Sequence, residues 1–168
     1  MIDASDLLAS ILPMGSDAGG SAVSAPRAVG AALTDDLSFL LARANALSLA
    51  AGNAAMAAHG LKVRSYSVLA LAVSDVRPSQ RELAEFLRLD PSQVVALVDE
   101  LQAQGLVVRE ADPADRRANV VTATKKGRAL FERAEVSARA AEKALHSSLS
   151  ATDREQLTAL LRAIAFPD

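Results

Sequence analysis

Charged side chains cluster in the segment 105–128, whose other residues favour β-strands. Asp115, Arg116 and Arg117 lie together there, in a loop that also contains a proline. Short runs rich in Val and Thr flank this loop, which predicts a β-hairpin with arginines at its tip. Guanidinium groups bind phosphate in bidentate fashion, and a narrow minor groove attracts cations. The cluster therefore predicts contact with DNA.

Two compact helix patterns, joined by a four-residue turn (87–90), precede the predicted hairpin. Ser79 and Glu82 have the spacing of a capping box, and Asp90-Pro91 suits the start of a second helix that Gly105 would end. Four apolar residues of that helix recur at i, i+3, i+4 and i+7: Val94, Leu97, Val98 and Leu101. The order helix, turn, helix and hairpin predicts a winged helix-turn-helix, in which one helix enters the major groove.

The outward face of the second helix carries candidates for base contact. Ser92 and Gln93 can form hydrogen bonds with base edges, because Gln matches adenine in bidentate fashion and Ser adapts to either partner. Val95 and Ala96 are suited to packing on thymine methyl groups. The acidic residues 99–100 should lie away from phosphate. The alternative interpretation is that all these residues are the solvated face of a small helix.

Polar and basic residues near the predicted helix starts are candidates for phosphate contact. Lys125 and Lys126 follow the second strand and begin the next long helix. Ser79 and Arg81 begin the first helix of the helix-turn-helix. Such contacts orient a protein on the duplex without reading its sequence.

These motifs resemble those of the MarR-type transcriptional regulators. The segment 115–127 resembles that family's wing signature, Asp-x-Arg followed by Leu-Thr-x-x-Gly, and the segment 83–107 is similar to its helix-turn-helix. The sequence departs from the family pattern at Arg88, where the turn often has Gly, at Ala96, where a polar residue is usual, and at Ala123, where Leu is usual.

The resemblance implies a function and a partner for each part of the chain. It implies that Asp115 orients Arg117, which enters the minor groove, and that a homodimer binds a pseudo-palindromic operator, most often as a repressor. It also implies a small aromatic or anionic effector in a crevice beside the dimerisation helices. Four residues fall near that junction: Met56, His59, Arg64 and Tyr66. Arg64 can pair with a carboxylate and Tyr66 can stack, although ordinary packing explains these residues equally well.

The pattern of helices divides the 168-residue chain into four segments. Residues 1–33 form an N-terminal extension rich in Ser, Gly and Ala. A helix is expected at 34–60, with Thr34 as its N-cap, and the resemblance implies that it serves dimerisation and that 61–123 is the DNA-binding lobe. Residues 124–168 form two further dimerisation helices. The expected fold is mainly α, with a small β-hairpin wing on the helix-turn-helix and a helical dimerisation region.

The composition excludes several other classes of function. The chain has no Cys, which removes disulfides and thiolate redox sensing, and His59 and His146 are its two histidines, too few for a usual metal site. We find no nucleophile–base constellation and therefore expect neither an enzyme nor a cofactor. No signal peptide or membrane-spanning stretch is visible, so we expect a cytoplasmic protein.

The net charge of −2 counts against DNA binding. Positive charge is nevertheless local, because the segment 105–128 has six basic residues and three acidic ones: Arg109, Arg116, Arg117, Lys125, Lys126 and Arg128 against Glu110, Asp112 and Asp115. An alternative function is a winged-helix module that contacts other proteins and does not read DNA.

Overall fold

The computed structural model describes residues 33–112 and 119–167. The predicted N-terminal extension, apart from its last residue, and the predicted wing-tip residues Asp115, Arg116 and Arg117 lie outside these ranges. The described residues form six helices and one two-stranded sheet: α1 (Leu37–Ala57), α2 (Val63–Val73), α3 (Gln80–Leu87), α4 (Pro91–Ala103), β1 (Val107–Ala111), β2 (Asn119–Ala123), α5 (Lys125–Leu145) and α6 (Ala151–Ala165). The predicted mainly α fold with a hairpin wing is confirmed.

Local hydrogen bonds set the ends of the helix-turn-helix as the sequence predicts. The Ser79 hydroxyl accepts from the backbone N–H of Glu82, and the Glu82 carboxylate accepts in return from the N–H of Ser79. Asp90 is the N-cap of α4, with Pro91 in the first turn. Gly105, with a φ of +69°, follows the end of α4 in the left-handed conformation that glycine adopts without strain.

The prediction that Thr34 caps the first long helix is wrong. The N-cap of α1 is Asp36, whose carboxylate accepts from the backbone N–H of Phe39 at 2.7 Å. Leu33 and Asp36 are joined by a backbone hydrogen bond of 3.1 Å, so the chain makes a turn before α1 begins. This turn places Asp36 where its carboxylate reaches the unpaired N–H groups of the first helical turn.

The hydrophobic core lies where α2, α3 and α4 meet the hairpin. Its largest fully buried side chains come from all of these elements and from α1: Met56, Leu69, Leu83, Leu101 and Leu106, with Val68, Val94, Val98, Val107 and Val121. The strands pair antiparallel with Val107 opposite Ala123, and a bridge between Ser79 and Val120 joins the hairpin to the start of α3. The hairpin is thereby attached to the helix-turn-helix.

The spacing of Leu83, Phe86 and Leu87 in the sequence predicts that all three face the core, but Phe86 does not. It is 57% exposed, and its ring lies 5.7 Å from the ring of Phe166, just beyond the end of α6. Ala84 is buried instead. The eight-residue helix has room for a narrow buried stripe, and Leu83, Ala84 and Leu87 occupy it.

Of the three long helices, α1 and α5 border this core and contribute Met56 and Ala134 to it, whereas α6 lies outside it. α1 packs along α5, and α2 contacts both of them. Every residue of α6 is exposed. None of the helices in the described ranges is long and apolar enough to cross a membrane.

Candidate nucleic-acid interface and effector cavity

The outward face of α4 presents the side chains that the sequence places there. Ser92, Gln93, Val95 and Ala96 are all exposed, with Val95 at 41%. Apart from that of Gln93, these side chains are short.

The two polar candidates on this face also belong to the cap of α4. The Ser92 hydroxyl donates to Asp90 Oδ1 at 2.5 Å, and Gln93 Oε1 accepts from the backbone N–H of Asp90 at 3.3 Å. Donation from the side chain and then from the backbone of Ser92 lowers the pKa of the Asp90 carboxyl. The cap uses the oxygen of Gln93, so its amide N–H groups are the donors suited to a base edge.

Arg109 on β1 connects the hairpin to both helices of the motif. Its guanidinium donates to Gln80 Oε1 at 2.9 Å, to Gln102 Oε1 at 2.7 Å and to Asp99 Oδ1 at 2.5 Å. The ion pair with Asp99 neutralises a carboxylate on the outward side of α4. The sequence alone shows Arg109 only as part of a basic cluster and gives no signal of these contacts.

The basic residues at the start of α5 contact the C-terminal ends of earlier helices. Lys126 Nζ donates to the carbonyl of Gln104 at 2.7 Å, beyond the last turn of α4, and Arg128 donates to the carbonyl of Val73 at 2.8 Å, at the end of α2. Cations suit helix C-termini because the carbonyls there are unpaired and carry partial negative charge. Lys125 is exposed in the same turn.

The candidates at the start of α3 differ in how they are held. Arg81 is exposed and pairs with Glu85 at 2.8 Å, one turn along the helix. The backbone N–H and the hydroxyl of Ser79 both donate to the Glu82 carboxylate, which lowers the pKa of that group. The hydroxyl of Ser79 is therefore engaged within the protein.

Two arginines adopt left-handed backbone conformations beside this interface. Arg88 ends α3 with a φ of 53°, at the position where the resembled family often has Gly. Arg77 has the same φ and forms an ion pair with Glu110 on β1. The turn after α3 thus keeps a left-handed residue at Arg88, although it lacks the glycine that adopts this conformation most readily.

A cavity of about 140 Å³ lies between α1, α2 and α5. Eleven residues line it, most of them small or apolar: Ser48, Ala51, Gly52, Met56, Val63, Tyr66, Ala138, Ala141, Glu142, Leu145 and His146. The Tyr66 ring stacks on Phe131 with 5.6 Å between centroids. Burial, and then the charge of Glu135, raises the pKa of the Tyr66 hydroxyl.

The four effector candidates from the sequence separate into two pairs. Met56 and Tyr66 line the cavity, whereas His59 and Arg64 are not among its lining residues. His59 instead forms a hydrogen bond of 2.8 Å with the Ser137 hydroxyl on α5, and Arg64 is exposed.

α5 contributes cavity residues that the sequence does not single out. Ala138 and Glu142 lie four residues apart on one face of α5, and His146, the C-cap just beyond the helix, continues the same spacing. This spacing identifies a face, but it does not show that the face meets α1. In residues 33–112 and 119–167, no three His, Asp or Glu side chains lie close enough together to hold a metal ion.

A helix-turn-helix with an attached hairpin defines a winged-helix protein, a class that includes many transcriptional regulators. A model of the MarR family matches residues 59–118. The crystal structure of a MarR-family transcriptional regulator from Rhodococcus sp. RHA1 is 44% identical, covers 81% of this chain and 96% of its own, and has a TM-score of 0.76. The chain belongs to the MarR family and is a transcriptional regulator, not an enzyme.

Two further relatives have been solved with bound small molecules. CouR from Rhodococcus jostii RHA1, bound to p-coumaroyl-CoA, is 44% identical over 81% of this chain and 96% of its own, with a TM-score of 0.73. The transcriptional repressor Rv2887 of Mycobacterium tuberculosis is 29% identical over 79% of this chain and 96% of its own length. Its complex with salicylic acid has a TM-score of 0.64.

Proposed function

We propose that this regulator binds double-stranded DNA sequence-specifically, as a homodimer on a pseudo-palindromic operator, and represses transcription in the cytoplasm. The observation that carries this proposal is the exposed face of α4 beside the hairpin, with the Asp99 charge neutralised by Arg109. A face of this kind fits the major groove, which admits a helix and offers base-edge partners for Gln, Ser and small apolar side chains. The relative Rv2887 is itself a repressor.

The proposed contacts follow the exposure of the side chains. Gln93 donates to base edges, Val95 and Ala96 pack on thymine methyl groups, and Ser92 adds a polar contact beside them. Three wing residues serve the minor groove: Asp115, Arg116 and Arg117. Four residues near helix starts serve the phosphates: Ser79, Arg81, Lys125 and Lys126. Among these four, Ser79 and Lys126 form hydrogen bonds within the protein, and Arg81 pairs with Glu85 while its side chain stays 87% exposed. Lys125 and then Arg81 are therefore the stronger candidates.

The proposed homodimer rests on exposed apolar side chains at both ends of the chain. They lie on α1 and α6: Leu37, Leu40 and Leu47, with Leu157, Leu160, Leu161 and Ile164. An exposed apolar surface of this extent is typical of a protein interface. We assign dimerisation to residues 34–60 and 124–168, and DNA binding to 61–123. A two-fold dimer would place its two recognition helices about 34 Å apart, one turn of the duplex.

The proposed effector is an aromatic compound whose ring enters the cavity between α1, α2 and α5. The cavity measures about 140 Å³, and an apolar protein cavity of about 150 Å³ binds benzene. Glu142 lines the cavity whereas Arg64 does not. An aromatic effector without a free carboxylate is therefore favoured over an aromatic acid. An aromatic acyl thioester, such as the p-coumaroyl-CoA bound to CouR, meets this requirement.

Fluorescence anisotropy on DNA from upstream of its own gene, across a salt series, tests the proposal. We expect tight binding that weakens steeply with salt, and Arg117→Ala should weaken it at least tenfold. Arg139→Ala is the matched control, because Arg139 is an exposed arginine on α5 that pairs with Glu135.

Equal loss of affinity in Arg117→Ala and Arg139→Ala would contradict the assignment of the wing. Weak binding that does not depend on salt, on this DNA and on fragments selected from the genome, would favour the alternative of a protein-interaction module, because phosphate contacts release counterions on binding.

A further inference from the structure

We propose that Arg109 is a positioning residue for DNA recognition, which fixes α4 against the hairpin and cancels the charge of Asp99 without contacting DNA itself. This inference rests on the proposed DNA-binding function. It assigns to a basic residue of the hairpin a role that differs from phosphate binding.

The guanidinium of Arg109 has little hydrogen-bonding capacity left for a phosphate. Arg109 makes four hydrogen bonds with three acceptors: two with Gln80 on α3, and one each with Gln102 and Asp99 on α4. These bonds use most of its N–H groups. Its side chain is only 24% exposed, whereas that of Arg81 is 87% exposed. A phosphate would therefore have to displace contacts that Arg109 already makes.

Arg109 also offsets the negative charge of α4. The segment 91–103, which forms α4, contains Asp99 and Glu100 but no Lys or Arg. A recognition helix without basic residues repels the phosphates unless a neighbour supplies positive charge. Arg109 supplies it by an ion pair with Asp99, whose side chain is 60% exposed.

Bonds near the C-terminal end of α4 also control the position of Gln93 near its N-terminal end. Gln102 lies nine residues beyond Gln93, a distance of about 13 Å along a helix. A tilt of about 10° around Gln102 would move Gln93 by about 2 Å, more than a hydrogen bond tolerates. The bonds from Arg109 to Asp99 and Gln102, together with the bond from Lys126 to Gln104, oppose such a tilt.

The test compares Arg109→Lys with Arg77→Lys, which alters an arginine that precedes α3 and forms an ion pair with Glu110 on β1. Lys keeps the charge but cannot span acceptors on two helices. In Arg109→Lys we expect the ratio of operator affinity to non-specific affinity to fall at least tenfold, with an unchanged dependence of affinity on salt. Arg77→Lys should change neither quantity. Both proteins are measured at a temperature at which circular dichroism shows them folded.

Two results would overturn the inference. If Arg109 binds phosphate, Arg109→Gln will make the salt dependence shallower by about 0.9 in slope and will leave the affinity ratio unchanged. If Arg109 only stabilises the fold, the folded variant will match the wild type in both quantities.

Amide hydrogen exchange without DNA separates a failure of this inference from a failure of the proposed function. Arg109→Lys should speed exchange in the last turns of α4 and leave α2 unchanged, and Arg77→Lys should leave α4 unchanged. Wild-type protein that binds no DNA would refute the proposed function, and exchange rates would then decide whether Arg109 holds α4. Unchanged exchange in α4 would refute that role.

Discussion

At the scale of single residues, Gly127 in the first turn of α5 occupies a position that leaves no room for a side chain. A Cβ atom there would lie 2.0 Å from the carbonyl oxygen of Leu106 and 3.0 Å from its carbonyl carbon. The same carbonyl accepts from the backbone N–H of Thr124 at 3.0 Å. The glycine of the Thr-x-x-Gly motif therefore lets the helix approach the base of the hairpin closely.

We predict that Gly127→Ala will destabilise the protein, because the added methyl group meets backbone atoms that cannot rotate away. Overpacking of this kind costs about 1–3 kcal/mol or more, measured as a fall in the free energy of unfolding in urea. Ala129→Ser, at an exposed position of the same helix, is the control and should change stability little. A Gly127→Ala protein as stable as the wild type would show that the contact relaxes.

At the scale of elements, α5 takes part in both proposed activities. Its first turn holds the C-terminal ends of α4 and α2 through Lys126 and Arg128. Further along, the face that contains Ala141 lines the cavity with α1. One rigid helix thus connects the proposed effector site to the proposed recognition helix, and an effector acts through it only by binding better to the arrangement that does not fit DNA.

We predict that Ala141→Leu will fill the cavity and abolish the response to effector while leaving operator affinity unchanged. In the wild type, p-coumaroyl-CoA should release the operator complex at a lower concentration than p-coumaric acid, whose carboxylate would meet Glu142. Anisotropy of labelled operator, titrated with each compound, measures both effects. Ala140→Leu, at an exposed neighbouring position, is the control.

Release by both compounds at the same concentration would contradict the preference for an effector without a free carboxylate. Normal release in Ala141→Leu would exclude this cavity as the site of the effector.

At the scale of the whole molecule, one helix among the described residues lacks packing for its apolar face. α6 has no buried residue, and its apolar side chains recur at i, i+3, i+4 and i+7: Leu157, Leu160, Leu161 and Ile164. An amphipathic helix gains most of its stability from packing of its apolar face. A second subunit that covers this face would supply that packing.

We predict that Leu160→Glu will convert the proposed dimer to a monomer, because Leu160 is 65% exposed on that apolar face and a charge there would have to be buried in the interface. Light scattering coupled to size-exclusion chromatography gives the mass, and operator affinity should fall with it. Ala159→Glu adds the same charge on the opposite side of α6 and should remain dimeric. A wild-type monomer of 17.5 kDa would refute the proposed dimer.

Local chemistry was sufficient to predict the order of the elements and most of their ends. Ser79 with Glu82, Asp90 with Pro91, and Gly105 act within three or four residues of the chain, so their spacing alone predicts the caps that form. The signature of the wing likewise lies within a short segment. Thr34 is the exception, because Asp36 is an equally good cap two residues further on.

Contacts between distant segments were decided only by the tertiary structure. The spacing of charges could not show that Arg109 reaches Gln80 and Asp99, or that His146 lines a cavity with α1. Phe86 turned outward because packing selects which stripe of a short helix is buried. The sequence alone determines local structure because hydrogen bonds between near neighbours depend on spacing. Contacts between elements depend on which faces meet, and packing of the whole chain sets those faces.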